Sequence, residues 1–230
     1  MKKIAIIILV ICTVSLGIGV AAFMMSFYGT PWANAQSEQE IKKYLSVNFL
    51  NEAVVDRTYY NFENGSYSAD CSIKKQPTLK FKVFHINLGN GQELLDDYYA
   101  RLWEKQISDC LNSRLSVADH ILPIITWNKQ TFEKYGRFPS KVPNYFSMQN
   151  KLDNSVYDNR PTLIVSIMHN FVNLNTSKEE IFDLISVAKN NVVFEAVYLS
   201  FKNDKYFTIE YNSAKNVTSE EDVISLLAEN

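Results

Sequence analysis

Glycine and proline are scarce in this sequence, seven and six among 230 residues. That excludes a collagen-like repeat and a chain made mostly of linker. Cysteine occurs three times, too seldom for a disulfide scaffold. Histidine also occurs three times, at His85, His120 and His169, with none near another. No Cys-x-x-Cys pair, no His-x-x-x-His pair and no EF-hand-like acidic loop is present, so no metal site is assigned. There is no Gly-x-Ser-x-Gly elbow and no Ser-x-x-Lys with supporting partners, and Gly89-x-Gly91 alone reads as a turn. No catalytic or cofactor-binding residue and no cofactor is therefore assigned. Basic residues do not gather into a stripe, which excludes a nucleic-acid partner. The net charge is −2; without Lys2 and Lys3 the chain carries 21 basic against 25 acidic residues, or −4.

What is present is apolar. Hydrophobic residues make up 47% of the chain and aromatics 13%, enough to build a core rather than a disordered segment. Ile4 to Tyr28 holds no charge. As a helix this run rises about 37 Å, more than the ~30 Å hydrocarbon core of a bilayer. Lys2 and Lys3 precede it, and the positive-inside rule then puts the N-terminus in the cytoplasm. Tyr28 and Trp32 fall at the far boundary, and Pro31 is the expected stop of the helix. Residues 1–32 thus form an anchor that meets the lipid bilayer through residues 4–28. Ala33-Asn34-Ala35 before Gln36 has the small-x-small pattern of a signal-peptide cleavage site. The apolar run is much longer than a normal signal core, which favours an uncut anchor. A lipoprotein reading fails, because the bulky Ile11 precedes Cys12. In either remaining reading the rest of the chain lies outside the cytoplasm.

Beyond the anchor the pattern is α+β. Ser37-x-x-Glu40 reads as a capping box before a helix with Ile41, Tyr44, Leu45 and Phe49 on one face. Val54 to Phe62 is rich in β-branched and aromatic residues. Asn64-Gly65 predicts a hairpin turn, with the partner strand from Tyr67 to about Lys74. After a break at Gln76-Pro77-Thr78, Leu79 to Ile86 alternates as a third strand. Gly89-Asn90-Gly91 is a turn. A long helix is expected from about Gln92 to Ala118, with Tyr99, Trp103, Ile107, Cys110 and Leu111 among its buried side chains. The first unit, residues 33–118, is therefore α-β-β-β-α.

Gly29-Thr30-Pro31-Trp32 followed by Tyr44-Leu45 resembles the YfjL-like family, uncharacterised membrane-anchored proteins of Gram-positive bacteria. Tyr60-Asn61-Phe62 with Asn64-Gly65-Ser66-Tyr67, then Phe81, Asp97-Tyr98 and Trp103, fit the same order and spacing. The resemblance covers about residues 29–118. It implies a location and a fold, not an activity, and has no catalytic residues to carry over. Ala33-Asn34 departs from the family, where basic or glycine residues commonly follow the Trp, and this keeps cleavage after Ala35 open.

Residues 119–160 read as an irregular connection. Ile121 to Trp127 could be a strand, and Pro123 argues for an edge; Thr131 to Tyr135 reads as a short helix. Residues 161–230 form a second unit, β-α-β-β-α. A buried strand from Thr162 is followed by a helix capped at Thr176-x-x-Glu179. A hairpin then turns at Asn203-Asp204, and a last helix is capped at Thr218-x-x-Glu221. The fold class is thus α+β: a transmembrane helix, then two small helix-on-antiparallel-sheet units, as separate lobes or one continuous sheet.

The remaining candidates are weak singly. Cys71 and Cys110 both face the expected core, as buried thiols or as a bridge; the spacing does not decide between them. Asp119-His120 with Cys110 is a scattered set that a fold could assemble into an enzyme site. Glu93, Asp96 and Asp97 form an acidic patch expected to face the positive end of the long helix. Asn64, Asn175 and Asn216 match glycosylation triplets, yet all fall in turns or caps where Asn has its own role. Tyr59-Tyr60 and Tyr206-Phe207 put one ring of each pair outside the local core, against a partner or another element. The expected function is a membrane-tethered extracytoplasmic binding or accessory module, non-catalytic, with an envelope protein or the cell wall as its partner. Its rivals are an inhibitor- or chaperone-like domain and an enzyme with a site assembled from scattered residues.

Overall fold

The computed structural model describes residues 2–87, 92–115, 121–126, 144–146, 162–171, 174–192, 194, 196–201 and 206–228. The chain divides into two compact units, Met1–Asp97 and Tyr98–Asn230.

The first unit opens with α1 (Lys2–Tyr28) and α2 (Pro31–Asn48), followed by β1 (Ala53–Asn61), β2 (Ser66–Ile73), β3 (Gln76–Asn87) and β4 (Gln92–Asp96). Every described side chain of α1 from Lys3 onward is exposed. Among the described residues, this is the one helix long and apolar enough to cross a membrane. Pro31 does not stop it. The helix ends at Tyr28, Gly29 takes a positive φ of 68°, and Pro31 opens α2 with Thr30 as its N-cap. Proline suits that position because its fixed φ is helical and its missing N–H is not needed there. The Thr30 hydroxyl accepts from the Ala33 amide at 3.4 Å. Ser37, expected to cap the helix, lies inside it, buried, with a hydroxyl that has no hydrogen-bond partner.

The four strands pair antiparallel in the order β1-β2-β3-β4. α2 lies on this sheet with Ile41, Leu45 and Phe49 buried beside Ala69, Cys71, Phe81 and Val83. Phe49 stacks on Phe81 at 4.9 Å. The β1–β2 turn takes residues 62–65, with Gly65 at a φ of 63°. Its geometry is locked by Asn64, whose side-chain oxygen accepts from the Ser66 amide and hydroxyl. The register of β1 shifts at Asp56. That carboxylate meets Lys80 at 2.8 Å and Ser72 at 2.9 Å, and the Lys80 hydrogen bond holds it below the usual carboxylate range.

Two expectations change here. Gln76-Pro77-Thr78 is not a break but the start of β3, and the turn falls on Lys74-Lys75. Gln92–Asp96 is a strand, not the first turns of the long helix. Leu94 and Leu95 fit either period, and pairing with His85 and Phe84 decides for the strand. Glu93 and Asp96 of the acidic patch accordingly lie on a strand, and Asp97 directly precedes the helix that begins at Tyr98. Asp96 is fully buried, and the Asp97 carboxylate accepts from the Lys82 amide at 2.5 Å. The Asp97 amide donates to the Lys82 carbonyl, so Asp97 adds a final rung to the β3–β4 ladder.

The second unit holds α3 (Tyr98–Asn112), β5 (Ile121–Thr126), β6 (Thr162–Phe171), α4 (Leu174–Asn191), β7 (Ala196–Phe201), β8 (Tyr206–Glu210), α5 (Tyr211–Lys215) and α6 (Glu220–Ala228). α3 packs against β5. Strand order is β5-β6-β7-β8, with β6 and β7 parallel and the outer pairs antiparallel. The expected antiparallel sheet is therefore mixed. A parallel pair needs a crossover, and α4 supplies it. β5 is an edge strand, as Pro123 implies. Ile181, Leu184, Ile185 and Ala188 of α4 are buried with Val197 and Leu199 of β7 and with Val223 and Leu227 of α6. The segment 127–143, the turn at Asn203-Asp204 and most of the expected connection lie outside the described residues.

The cap of α6 falls one residue later than the Thr218-x-x-Glu221 pattern. Ser219 accepts from the Asp222 amide at 3.3 Å, and the Asp222 carboxylate accepts from the Ser219 amide, the Thr218 amide and the Thr218 hydroxyl, each at 2.8 Å. These bonds, the Thr218 amide first, hold the Asp222 carboxyl below the usual range. A folded-state value below the unfolded one contributes stability above the unfolded value, ~3.9, and loses it as pH falls through the folded value. Exchange of the Thr218 and Ser219 amides is therefore expected to quicken below about pH 4, beyond the general pH trend of exchange. Asp222→Ala is expected to remove that step and leave both amides fast at neutral pH.

Candidate functional site

A groove of about 650 Å³ opens on the first unit between α2 and the β3–β4 edge. Glu40, Lys43, Tyr44, Val47 and Asn48 line it from α2, His85 from β3, and Glu93 and Leu94 from β4. The α2 residues share a wall because they recur at helical spacing on one side of the helix. His85 and Leu94 are cross-strand partners, so register sets the opposite wall. β4, which the helical reading of residues 92–96 conceals, is what makes this a groove.

His85 is nearly buried in it, with a side chain 9% exposed. Its Nδ1 lies 2.9 Å from the Tyr67 carbonyl. A carbonyl only accepts, so Nδ1 carries the proton. Nε2 then faces the Glu40 carboxylate at 3.4 Å, a contact that attracts when the ring is doubly protonated. Deeper in, the Tyr44 hydroxyl donates to the buried Asp96 carboxylate at 2.5 Å. The groove thus offers a cation at Lys43, carboxylates at Glu40 and Glu93, and apolar surface at Val47 and Leu94. Among the described residues that line it there is no serine, threonine or cysteine. Its chemistry suits contact with a polar ligand of mixed charge.

The sequence-level candidates do not assemble here. Cys71 is fully buried in the sheet, and burial pushes its thiol up to about 12, so it stays protonated and unreactive. Cys71 and Cys110 are both free thiols. Asp119 and His120 lie outside the described residues, and His169 falls on β6. Among the described residues no group of three His, Cys, Asp or Glu side chains could hold a metal. Asn64 braces the β1–β2 turn and Asn216 ends α5. The aromatic pairs do split: Tyr206 is 71% exposed while Phe207 packs on Phe201, and Tyr59 lies under Arg57 while Tyr60 packs on Tyr67.

A second constellation joins the α1–α2 junction to the sheet. The Tyr67 hydroxyl accepts from the Thr30 amide at 2.8 Å and donates to the Thr30 carbonyl at 3.1 Å. Tyr60 packs beside Tyr67 with ring centroids 5.1 Å apart. A Cβ at Gly29 would fall 2.2 Å from the Tyr67 hydroxyl oxygen and 2.9 Å from Tyr60 Cγ. Phe27 meets Phe62 at 5.6 Å. The Gly-Thr-Pro-Trp and Tyr-Asn-Phe segments, far apart in the sequence, are thus two halves of one clamp.

Residues 1–93 match the model of the YfjL-like N-terminal domain. That span includes α1, both halves of the clamp, and the groove as far as Glu93. A crystal structure of a DUF5037 family protein from Ruminococcus gnavus ATCC 29149 is similar at 16% identity and a TM-score of 0.45, over 83% of this chain and 80% of that one. No curated protein matches the chain.

Proposed function

We propose that this protein is a single-pass, membrane-tethered binding module. In this reading α1 crosses the bilayer with Lys2 and Lys3 on the cytoplasmic side, and both units stand outside. The groove between α2 and β3–β4 then faces a ligand or an envelope partner. The observation that carries the reading is the exposure of every described side chain of the apolar helix from Lys3 onward, together with its firm attachment: Thr30 is bonded through both backbone groups to Tyr67. An apolar surface of that length is not left in water. An uncut anchor also agrees with the fold, since a cut after Ala35 would remove the Thr30 cap, the first turn of α2 and the clamp.

Two measurements test this. The full-length chain is expected to stay with membranes after high-pH washing, and protease added to intact cells is expected to reach both units. A soluble product beginning at Gln36, or units sheltered inside intact cells, would overturn the tether. For the groove, Val47→Arg is expected to abolish capture of surface-crosslinked partners without changing thermal stability, because Val47 is 61% exposed. Capture that is equal with and without the substitution would overturn the groove as the binding face.

A further inference from the structure

The turn between β1 and β2 has no part in the groove. Its Phe62 is 59% exposed, yet the ring is not isolated: it lies against Phe27, which in turn packs on Phe23 at 4.8 Å. Tyr28 and Trp32, on either side of the helix break, are 72% and 66% exposed. Depth along α1 follows from its rise. Counted from Ile4, Phe27 stands about 35 Å along the helix, roughly 5 Å beyond a ~30 Å hydrocarbon core and less with an ordinary tilt. That is the headgroup layer, and the Phe27–Phe62 contact puts Phe62 at the same depth.

Resting on the membrane-spanning reading of α1, we propose that the β1–β2 turn is a second membrane contact, with Phe62 seated in the headgroup–acyl boundary of the bilayer that α1 crosses. Trp32 and Tyr28 join it as an aromatic belt, the side chains that settle at that level. The contact is apolar. Glu63 is the one charged residue among 61–65, so anionic lipid has nothing basic to attract it there. Two contacts fix the first unit's orientation where a single flexible anchor would not. The clamp supplies the stiffness between them, since Thr30 is held on Tyr67 five residues along from Phe62.

The test places an environment-sensitive dye at position 62. Phe62→Cys is made in the full chain with Cys12 and Cys110 changed to Ser; Cys71 stays, being buried and protonated. The chain is reconstituted in phosphatidylcholine vesicles. A matched chain carries Lys75→Cys at the β2–β3 turn, the other end of β2. The dye at position 62 is expected to be blue-shifted and quenched severalfold more by shallow nitroxide lipids than the dye at position 75. Equal, water-like signals at both positions in a chain that resists high-pH washing would overturn this inference and leave the anchor standing. A dye shielded from water but untouched by the lipid quencher would also overturn it, pointing to a protein covering the turn. Release of the chain by high-pH washing would overturn both readings.

Discussion

Gly29→Ala is expected to destabilise the first unit by about 3 kcal/mol, the sum of one left-handed non-glycine residue and two lost hydrogen bonds. The backbone alone asks for glycine, at a φ of 68°. The new Cβ then collides with Tyr67, 2.2 Å from its hydroxyl oxygen and 2.8 Å from Cζ, and with Tyr60 Cγ at 2.9 Å. A tyrosine ring cannot fold away at its tip, so Tyr67 must withdraw as a body and break both bonds to Thr30. Gly17→Ala and Gly19→Ala are the controls. A Cβ at either meets nothing within 4 Å, and both lie inside α1, where alanine is the better helix former. Urea unfolding of the detergent-solubilised chain, followed by circular dichroism, compares the three. If Gly29→Ala unfolds at the same urea concentration as Gly17→Ala, the clamp holds nothing.

The same geometry predicts how the loss divides. Tyr67→Phe removes both hydroxyl bonds and costs about 1–2 kcal/mol alone. It also removes the atom at 2.2 Å. In the double variant Gly29→Ala/Tyr67→Phe the two costs should therefore add to less than their sum, because the hydrogen bonds are lost only once.

Legibility of this region from the sequence was uneven, for physical reasons. The apolar run needed only counting, and the Tyr99, Trp103, Ile107 and Leu111 stripe needed only the helical period. The clamp was visible as fragments, but a bond between residues 30 and 67 is a tertiary fact that no local period encodes. β4 was hidden because Leu94 and Leu95 fit a helix that continues into α3, and strand pairing overrode that preference. With β4 unseen, the groove had no second wall. In the sequence His85 has no other histidine near it, whereas in the fold Tyr67 and Glu40 face its two ring nitrogens. The caps at Ser37 and Thr218 show a related limit. Ser-x-x-Glu is a local signal, and Pro31 and Ser219 offered better starts nearby.

The largest loss in the second unit is expected at Trp103. This ring is fully buried on α3, edge-on to Tyr99 at 5.3 Å and to Tyr145 at 6.0 Å. Tyr99 stands one helical turn before it, so the two rings share a face. Tyr145 is brought in from a distant segment, its amide bonded to Gln106 of the same helix at 2.8 Å. Trp103→Ala should cost about 3–5 kcal/mol through lost burial and the cavity left behind. Trp103→Phe keeps a ring between the two tyrosines and should cost much less. Lys105→Ala, two residues on and paired with exposed Asp109, should change stability by less than about 0.5 kcal/mol. The readout is again urea unfolding by circular dichroism, since the substitution removes one of the three tryptophans that fluorescence would follow. A Trp103→Ala chain as stable as Lys105→Ala would mean that α3 is not a core helix. Membrane retention at high pH should be the same in all three, because α1 holds no part of this cluster.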